Sequence, residues 1–216
     1  MRRAALFDLD RTLVRRDTAS LYVKYQRDRG EAGLRYTLQV AYWMAQYTLG
    51  IIDAPRVAER ALSVLAGREE EAFRIACEEW CRGYVLPHVC DEGRRTIERH
   101  RAAGDVVAIV TGASPYAAWP VARELGIDLV ACTELEVVGG RFTGKPVHPI
   151  GYGAGKVELA QRLSERVGFR VEEAAFYTDS ATDLPLLDRV ARPVAVNPDL
   201  RLRRIARRRR WPIERW

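Results

Sequence analysis

The sequence predicts an α/β fold: a doubly wound parallel sheet with an inserted small α-helical domain and a β-hairpin. Three observations predict it. Short apolar runs without polar alternation recur along the chain, as strands buried on both faces require. Segments of helical spacing, closed by glycine, lie between them. One long stretch after the first run reads as helix throughout and interrupts the alternation.

The strands are AALFD (4–8), VVAIVT (106–111), LVACT (129–133), AAFYTD (174–179) and PVAVN (193–197). Between them, Asp91 to Ala103 reads as a helix closed by Gly104. Ser114 can cap a helix that has Pro115 in its first turn and Gly126 at its end. Ala154 to Val167 is closed by Gly168. The helical insertion divides into Thr18–Arg29, Ala32–Leu49, a helix capped by Asp53 and ending at Gly67, and Glu69–Arg82. Residues 16–87 are therefore expected to form an inserted helical cap, and residues 1–15 and 88–216 the α/β core. ELEVVGGRFTGKPV (134–147) alternates apolar residues around Gly139-Gly140, which signals a hairpin.

The chain has 216 residues, 48% of them hydrophobic and 30% charged, the composition of a globular protein. A net charge of +6 permits an anionic partner without demanding one. Aspartates cut the N-terminal apolar run too short for a signal peptide, so a cytoplasmic location is expected. YTLQVAYWMAQYTLGII (36–52) lacks charge but contains two glutamines and three tyrosines; it reads as a packed helix of the cap, with an interfacial helix as the alternative. Cys77, Cys81, His88 and Cys90 match no common zinc spacing, and the cysteines read as small buried hydrophobes. His88, His100 and His148 have no evident partners and read as surface or linker residues.

In an open parallel sheet, ligands bind beyond the carboxyl ends of the strands. The first strand ends in Asp8, with Asp10 just past it. The second ends in Thr111-Gly112. The fourth ends in Asp179, with Asp183 beyond, and GAGKVELA places Lys156 near the start of a helix. Singly, each has a bland reading: turn aspartates, a strand-end threonine, a solvated lysine. Together they suit phosphoryl transfer. A hard cation such as Mg²⁺ would relieve repulsion among the carboxylates. One carboxylate can attack phosphorus, and a second can act as general acid and base. Lys156, the Thr111 hydroxyl and the Gly112 amide would balance charge and bind phosphoryl oxygens. GYGAGK (151–156) lacks the full pattern of a nucleotide-binding phosphate loop.

FDLDRTLV (7–14), IVTGAS (109–114), GKVELA (155–160) and YTDSATDLPLL (177–187) resemble the four ordered motifs of the haloacid dehalogenase superfamily. The helical insertion and the ending PVAVNPDLRLRRIARRRRWPIERW resemble its phosphoserine-phosphatase-like branch, subfamily IB. The resemblance implies a Mg²⁺-dependent phosphatase acting on a small phosphate monoester through an aspartyl-phosphate. It implies Asp8 as nucleophile and metal ligand, and Asp10 as general acid/base offering its carbonyl to the metal. Thr111 and Gly112 would bind the phosphoryl group, Lys156 would steady nucleophile and phosphate, and Asp179 with Asp183 would complete the metal site. Asp17 stands where phosphoserine phosphatases carry an acid that reads a substrate amine, or it caps the helix at Thr18. Arg11 and Thr182 depart from the branch's pattern. Arg11 reaches a substrate anion, or points toward the cap or solvent.

The resemblance suggests phosphoserine, histidinol phosphate or a choline-type phosphate as substrate. AYWMAQY (41–47) either lines a pocket or packs the cap. Phosphotransfer to another acceptor is the alternative within the fold. RLRRIARRRR (201–210) is the alternative outside it, a basic segment able to bind nucleic acid or an anionic membrane. Leu202, Ile205 and Ala206 make an apolar stripe behind the cap Asp199, so a docked helix with solvated arginines is expected instead. No nucleic-acid partner is expected, and at most weak membrane-surface association.

Overall fold

The structure, a computed structural model, describes residues 3–30 and 62–216. Its strands are β1 (Ala4–Phe7), β2 (Val106–Val110), β3 (Val130–Ala131), the pair β4 (Leu135–Val138) and β5 (Arg141–Pro146), then β6 (Ala175–Thr178), β7 (Arg192–Val196) and β8 (Ile213–Glu214). Six of them form one parallel sheet in the order β3-β2-β1-β6-β7-β8. β1 lies centrally, in register with β2 (Leu6 beside Ala108) and with β6 (Leu6 beside Phe176). β8 was not expected. Two residues of WPIERW carry no strand periodicity, and only the free edge of β7 brings them into the sheet.

The helices are α1 (Thr18–Asp28), α2 (Glu70–Trp80), α3 (Asp91–Ala102), α4 (Pro115–Glu124), α5 (Ala154–Val167), the short α6 (Leu184–Leu187) and α7 (Leu200–Arg209). Alternate strand residues face opposite layers. Ala5, Phe7, Ile109 and Tyr177 pack with Ile97 of α3 and Val121 of α4. Ala4, Leu6, Ala108 and Phe176 pack with Val157 and Leu163 of α5 and Leu202 and Ala206 of α7. Leu202 and Ala206 of the basic C-terminal helix are thus spent on the core beneath it, Ile205 is half-buried, and Arg201, Arg204, Arg207 and Arg208 face outward.

Expected helix ends hold at Gly30, Gly104, Gly126 and Gly168, each with the positive φ that glycine adopts freely. Gly139 and Gly140 likewise turn the β4–β5 hairpin. Ser114 occupies the start of α4, but its side chain makes no capping bond. The helix expected over Glu69–Arg82 ends at Trp80, and the chain widens into a π-helical turn over Cys81–Val85. The helix Ala32–Leu49, most of the helix following Asp53, and AYWMAQY lie outside the described residues.

The core segments that flank the insertion meet. Arg15 N donates to the His88 carbonyl at 2.9 Å and Cys90 N to that of Leu13 at 3.0 Å. Phe73 of α2 sets its ring edge-on to Phe142 of the hairpin and Tyr116 of α4, both at 5.2 Å. All four cysteines are free and buried, and burial pushes the Cys77 thiol up to about 12. Among the described residues they belong to no metal-binding group. No described helix is long and apolar enough to cross a membrane.

His100 corrects the sequence reading. It is buried at the end of α3, with Nδ1 2.7 Å from Asp105 Oδ2 and Nε2 2.9 Å from the Tyr177 hydroxyl. Its partners stand 5 and 77 residues away in the chain. Only the sheet brings the second of them near.

Leu202→Ala is expected to lower stability by about 2–5 kcal/mol, because it empties a fully buried site. Arg204→Ala is expected to stay within about 0.5 kcal/mol, as an exposed change should. Urea unfolding of both variants checks that α7 is held by its apolar stripe.

Candidate active site

The ladder that forms β1 extends one residue further, since Asp8 N donates to the Tyr177 carbonyl at 2.9 Å. This anchors the Asp8 backbone at the carboxyl edge of the sheet. The neighbouring β6 ends beside it and presents Asp179 at the same edge. Asp8, Asp179 and Asp183 are 6%, 8% and 1% exposed, so the three carboxyls are largely out of water.

Lys156 answers them. It sits in the first turn of α5, 3% exposed, with Nζ 2.8 Å from Asp8 Oδ1 and 2.7 Å from Asp183 Oδ2. Asp183 Oδ2 also accepts from the Thr178 hydroxyl at 2.6 Å. The other oxygen, Asp183 Oδ1, is buried with no hydrogen-bond partner. Thr111 is buried at the end of β2, where its hydroxyl oxygen accepts from Ala113 N at 3.1 Å. The hydroxyl hydrogen can still be donated.

Asp10 lies on the turn after β1, partly buried, and its Oδ1 accepts from Thr18 N at 2.7 Å. That amide belongs to the first turn of α1, where the helix dipole favours a carboxylate. Asp17 caps the same helix through Ser20 N at 2.8 Å. Arg11, the intervening departure, has φ 56 and an exposed side chain. The left-handed conformation explains why a small or amide residue suits the position. Thr182, the other departure, bonds its hydroxyl to Ser180 Oγ at 2.9 Å.

Burial is the largest influence on the acids. It pushes Asp8 up to about 6, against the pull of Lys156 and with repulsion from Asp183. It pushes Asp10 up to about 7, with Asp17 and Asp8 adding repulsion. Asp179 rises well above the carboxylate range, again through burial and then through Asp8 and Asp183. Burial alone would lower Lys156, but Asp183 and Asp8 outweigh it and hold the ammonium above its ordinary value. Asp8, Asp10 and Asp179 therefore sit where cationic charge beyond Lys156 is favourable.

The donor set fits a hard cation. The acids offer oxygen, and the buried Asp183 Oδ1 lacks a partner. Among the described residues, no three His, Cys, Asp or Glu side chains converge tightly enough to enclose a metal alone. An ion such as Mg²⁺ keeps waters and takes one or two carboxylates plus substrate phosphate.

Sequence reasoning missed the packing that sets this edge. A Cβ on Gly151 would fall 2.2 Å from the Thr111 carbonyl oxygen, and one on Gly155 2.0 Å from that of Ile150. On Gly112 it would strike the Tyr152 ring at 2.6 Å. The spacing of GYGAGK reports close backbone approach, which holds α5 and Lys156 against β2.

The sequence pattern of haloacid dehalogenase-like hydrolases matches residues 5–188. Histidinol-phosphatase of Neisseria meningitidis serogroup C is 32% identical over 219 residues, covering 99% of this chain and 98% of that protein. Phosphoserine phosphatase SerB1 of Mycobacterium tuberculosis is 34% identical over 215 residues, covering 97% of this chain and 70% of that protein. The crystal structure of a protein of unknown function from Bordetella pertussis Tohama I matches with a TM-score of 0.90 at 32% identity, over 99% of this chain and 98% of that one.

A carboxyl raised in the folded state binds its proton more tightly there than when unfolded, so ionising it costs stability. Metal-free protein is therefore expected to lose this contribution as pH rises from the ordinary carboxylate range through about 6 for Asp8 and about 7 for Asp10. Asp10→Asn should flatten the decline between pH 5.5 and 8. Melting curves in a chelator check this; identical slopes for the two proteins would refute the assigned Asp10 environment.

Proposed function

The chain belongs to the haloacid dehalogenase-like hydrolases, and on that footing we propose that it is a Mg²⁺-dependent phosphatase acting on a small phosphate monoester through an aspartyl-phosphate. The observation that carries the reading is the buried Lys156 ammonium joining Asp8 and Asp183 at the sheet edge, beside the end of β6 that bears Asp179. A structural ion pair needs one carboxylate. Gathering further acids at a ligand-binding edge serves chemistry.

In this mechanism the Thr111 hydroxyl, the Gly112 amide and Lys156 bind the oxygens of the phosphoryl group and orient its phosphorus toward Asp8. An Asp8 carboxylate oxygen attacks phosphorus, and the bond to the ester oxygen breaks. Asp10, whose raised value keeps its proton near neutral pH, donates that proton to the departing alkoxide. The ionised Asp10 then takes a proton from water as the water oxygen attacks the phosphoaspartate. Inorganic phosphate leaves, and both aspartates return to their starting states. Asp8, Asp179 and the Asp10 carbonyl would hold Mg²⁺, with Asp183 in support, and the ion would offset the negative charge gathered there.

Residues 16–87 act as a cap closing over residues 1–15 and 88–216, excluding water from the first step and choosing the substrate. The hydrogen bonds Arg15–His88 and Leu13–Cys90 join the two core segments from which the insertion leaves, which supports a hinge there. Histidinol phosphate is placed first among substrates, because the relative of that name matches along almost its whole length. Phosphoserine comes next and a choline-type phosphate after it. The use of Asp17 as a helix cap and the departure at Thr182 speak against phosphoserine being read in the manner of that branch.

Phosphate release from a panel of these esters tests the reading. Turnover is expected to require Mg²⁺ and to vanish in Asp8→Asn. Asp10→Asn is expected to lower kcat by about 10²–10⁴-fold, the usual worth of a general acid. A folded Asp8→Asn protein that keeps turning over would refute the assignment of the nucleophile.

A further inference from the structure

We propose that the Asn197-Pro198-Asp199 turn after β7 is a positioning element of the active site, clamping the Asp8–Asp10 loop and the Asp179–Asp183 loop at a fixed separation. It rests on the phosphatase reading above and assigns a role to residues that this reading does not use.

The turn bonds to both acidic loops. Asn197 Nδ2 donates to the Arg11 carbonyl at 3.3 Å and to the Trp216 carbonyl at 3.4 Å, while its Oδ1 accepts from Trp216 N at 3.0 Å. Its own backbone N donates to the Glu214 carbonyl at 2.9 Å. Two residues on, Asp199 N donates to the Asp179 carbonyl at 2.8 Å, and Asp199 Oδ2 accepts from Ala181 N at 2.9 Å. Asp199 Oδ1 caps α7 through Leu202 N at 2.6 Å. One short turn thus holds the residue after the general acid, the metal-side aspartate and the turn leading to Asp183.

The residue types fit the task. Asn197 has φ 42, a left-handed conformation that asparagine tolerates. Its amide donates to two carbonyls and accepts from one N–H, which an aspartate carboxylate cannot do. Arg11 has φ 56, a conformation that a long side chain does not favour, so an outside bond to its carbonyl helps keep the loop in place. The anchor is rigid, because β7 is paired within the sheet on both sides. None of the bonds from the turn uses an active-site side chain. It acts through backbone position, where a displacement of about 1 Å can cost about 10²-fold in rate.

The test compares Asn197→Ala and Asn197→Asp with Leu202→Ala, which loosens α7 without touching either loop. Turnover of the ester that wild type hydrolyses fastest, thermal stability and amide exchange in the peptide 8–18 are measured for each. Both Asn197 variants are expected to lose at least about tenfold in kcat with KM within about threefold. Exchange in that peptide should accelerate. Leu202→Ala should melt earlier yet keep wild-type kcat and exchange at 25 °C. Wild-type kcat in the Asn197 variants, or losses no different from those of Leu202→Ala, would overturn the clamp. Exchange needs no turnover, so a wild type inert on every ester would sink the phosphatase reading while the exchange comparison alone decided the clamp.

Discussion

One buried ammonium makes the rest of the site possible. Lys156 stands between Asp8 and Asp183 at 2.8 and 2.7 Å, where water cannot screen any of the three. Removing one partner of such a group leaves an uncompensated buried charge, which is far costlier than losing an exposed pair. Three carboxyls and one lysine still leave negative charge in excess. The fold tolerates it because a parallel sheet collects strand ends, with their loops and helix starts, along a single edge. β1 and β6, hydrogen-bonded neighbours, deliver Asp8 and Asp179 side by side. α5 delivers the lysine because glycines let the preceding loop press against β2.

The inserted helices reach into the chemistry through Asp10. Its carboxylate is held by the first-turn amide of α1, and its proton affinity is pushed up by burial first and then by Asp17, which caps that helix. Beyond burial, Asp10 therefore feels groups of the insertion, whereas Asp8 feels Lys156 of α5 and Asp183. The sequence left Asp17 open between reading a substrate amine and capping a helix. The structure shows the cap, together with an electrostatic influence on Asp10 that neither reading contained.

Much was legible because it is local. The buried runs identify strands, the glycine stops identify helix ends, and Gly139-Gly140 identifies the hairpin, each through conformations that a few adjacent residues impose. Asp8, Thr111, Lys156 and Asp179 were legible because strand ends and helix starts in an α/β fold must face one edge. The functional resemblance was legible because four motifs stand in one order. What failed was nonlocal or too short. β8 spans two residues and exists only because β7 offers an unpaired edge. The π-helical turn after Trp80 leaves no mark in periodicity.

His100 shows the boundary between the two kinds of information most directly. Alone, a histidine near the end of a charged helix reads as solvated, yet the fold buries it between Asp105 and Tyr177. The sequence by itself determined the fold class, the bounds of most described elements within a turn or so and the side chains that gather at one sheet edge, because these follow from local periodicity and residue type. Only the tertiary structure decided which groups share a proton or a charge. It seated Lys156 between its acids, raised Asp10 beside α1 and drew Asn197 against Arg11. Those contacts join residues up to 186 positions apart, and their energies depend on separation and burial that no stretch of sequence carries.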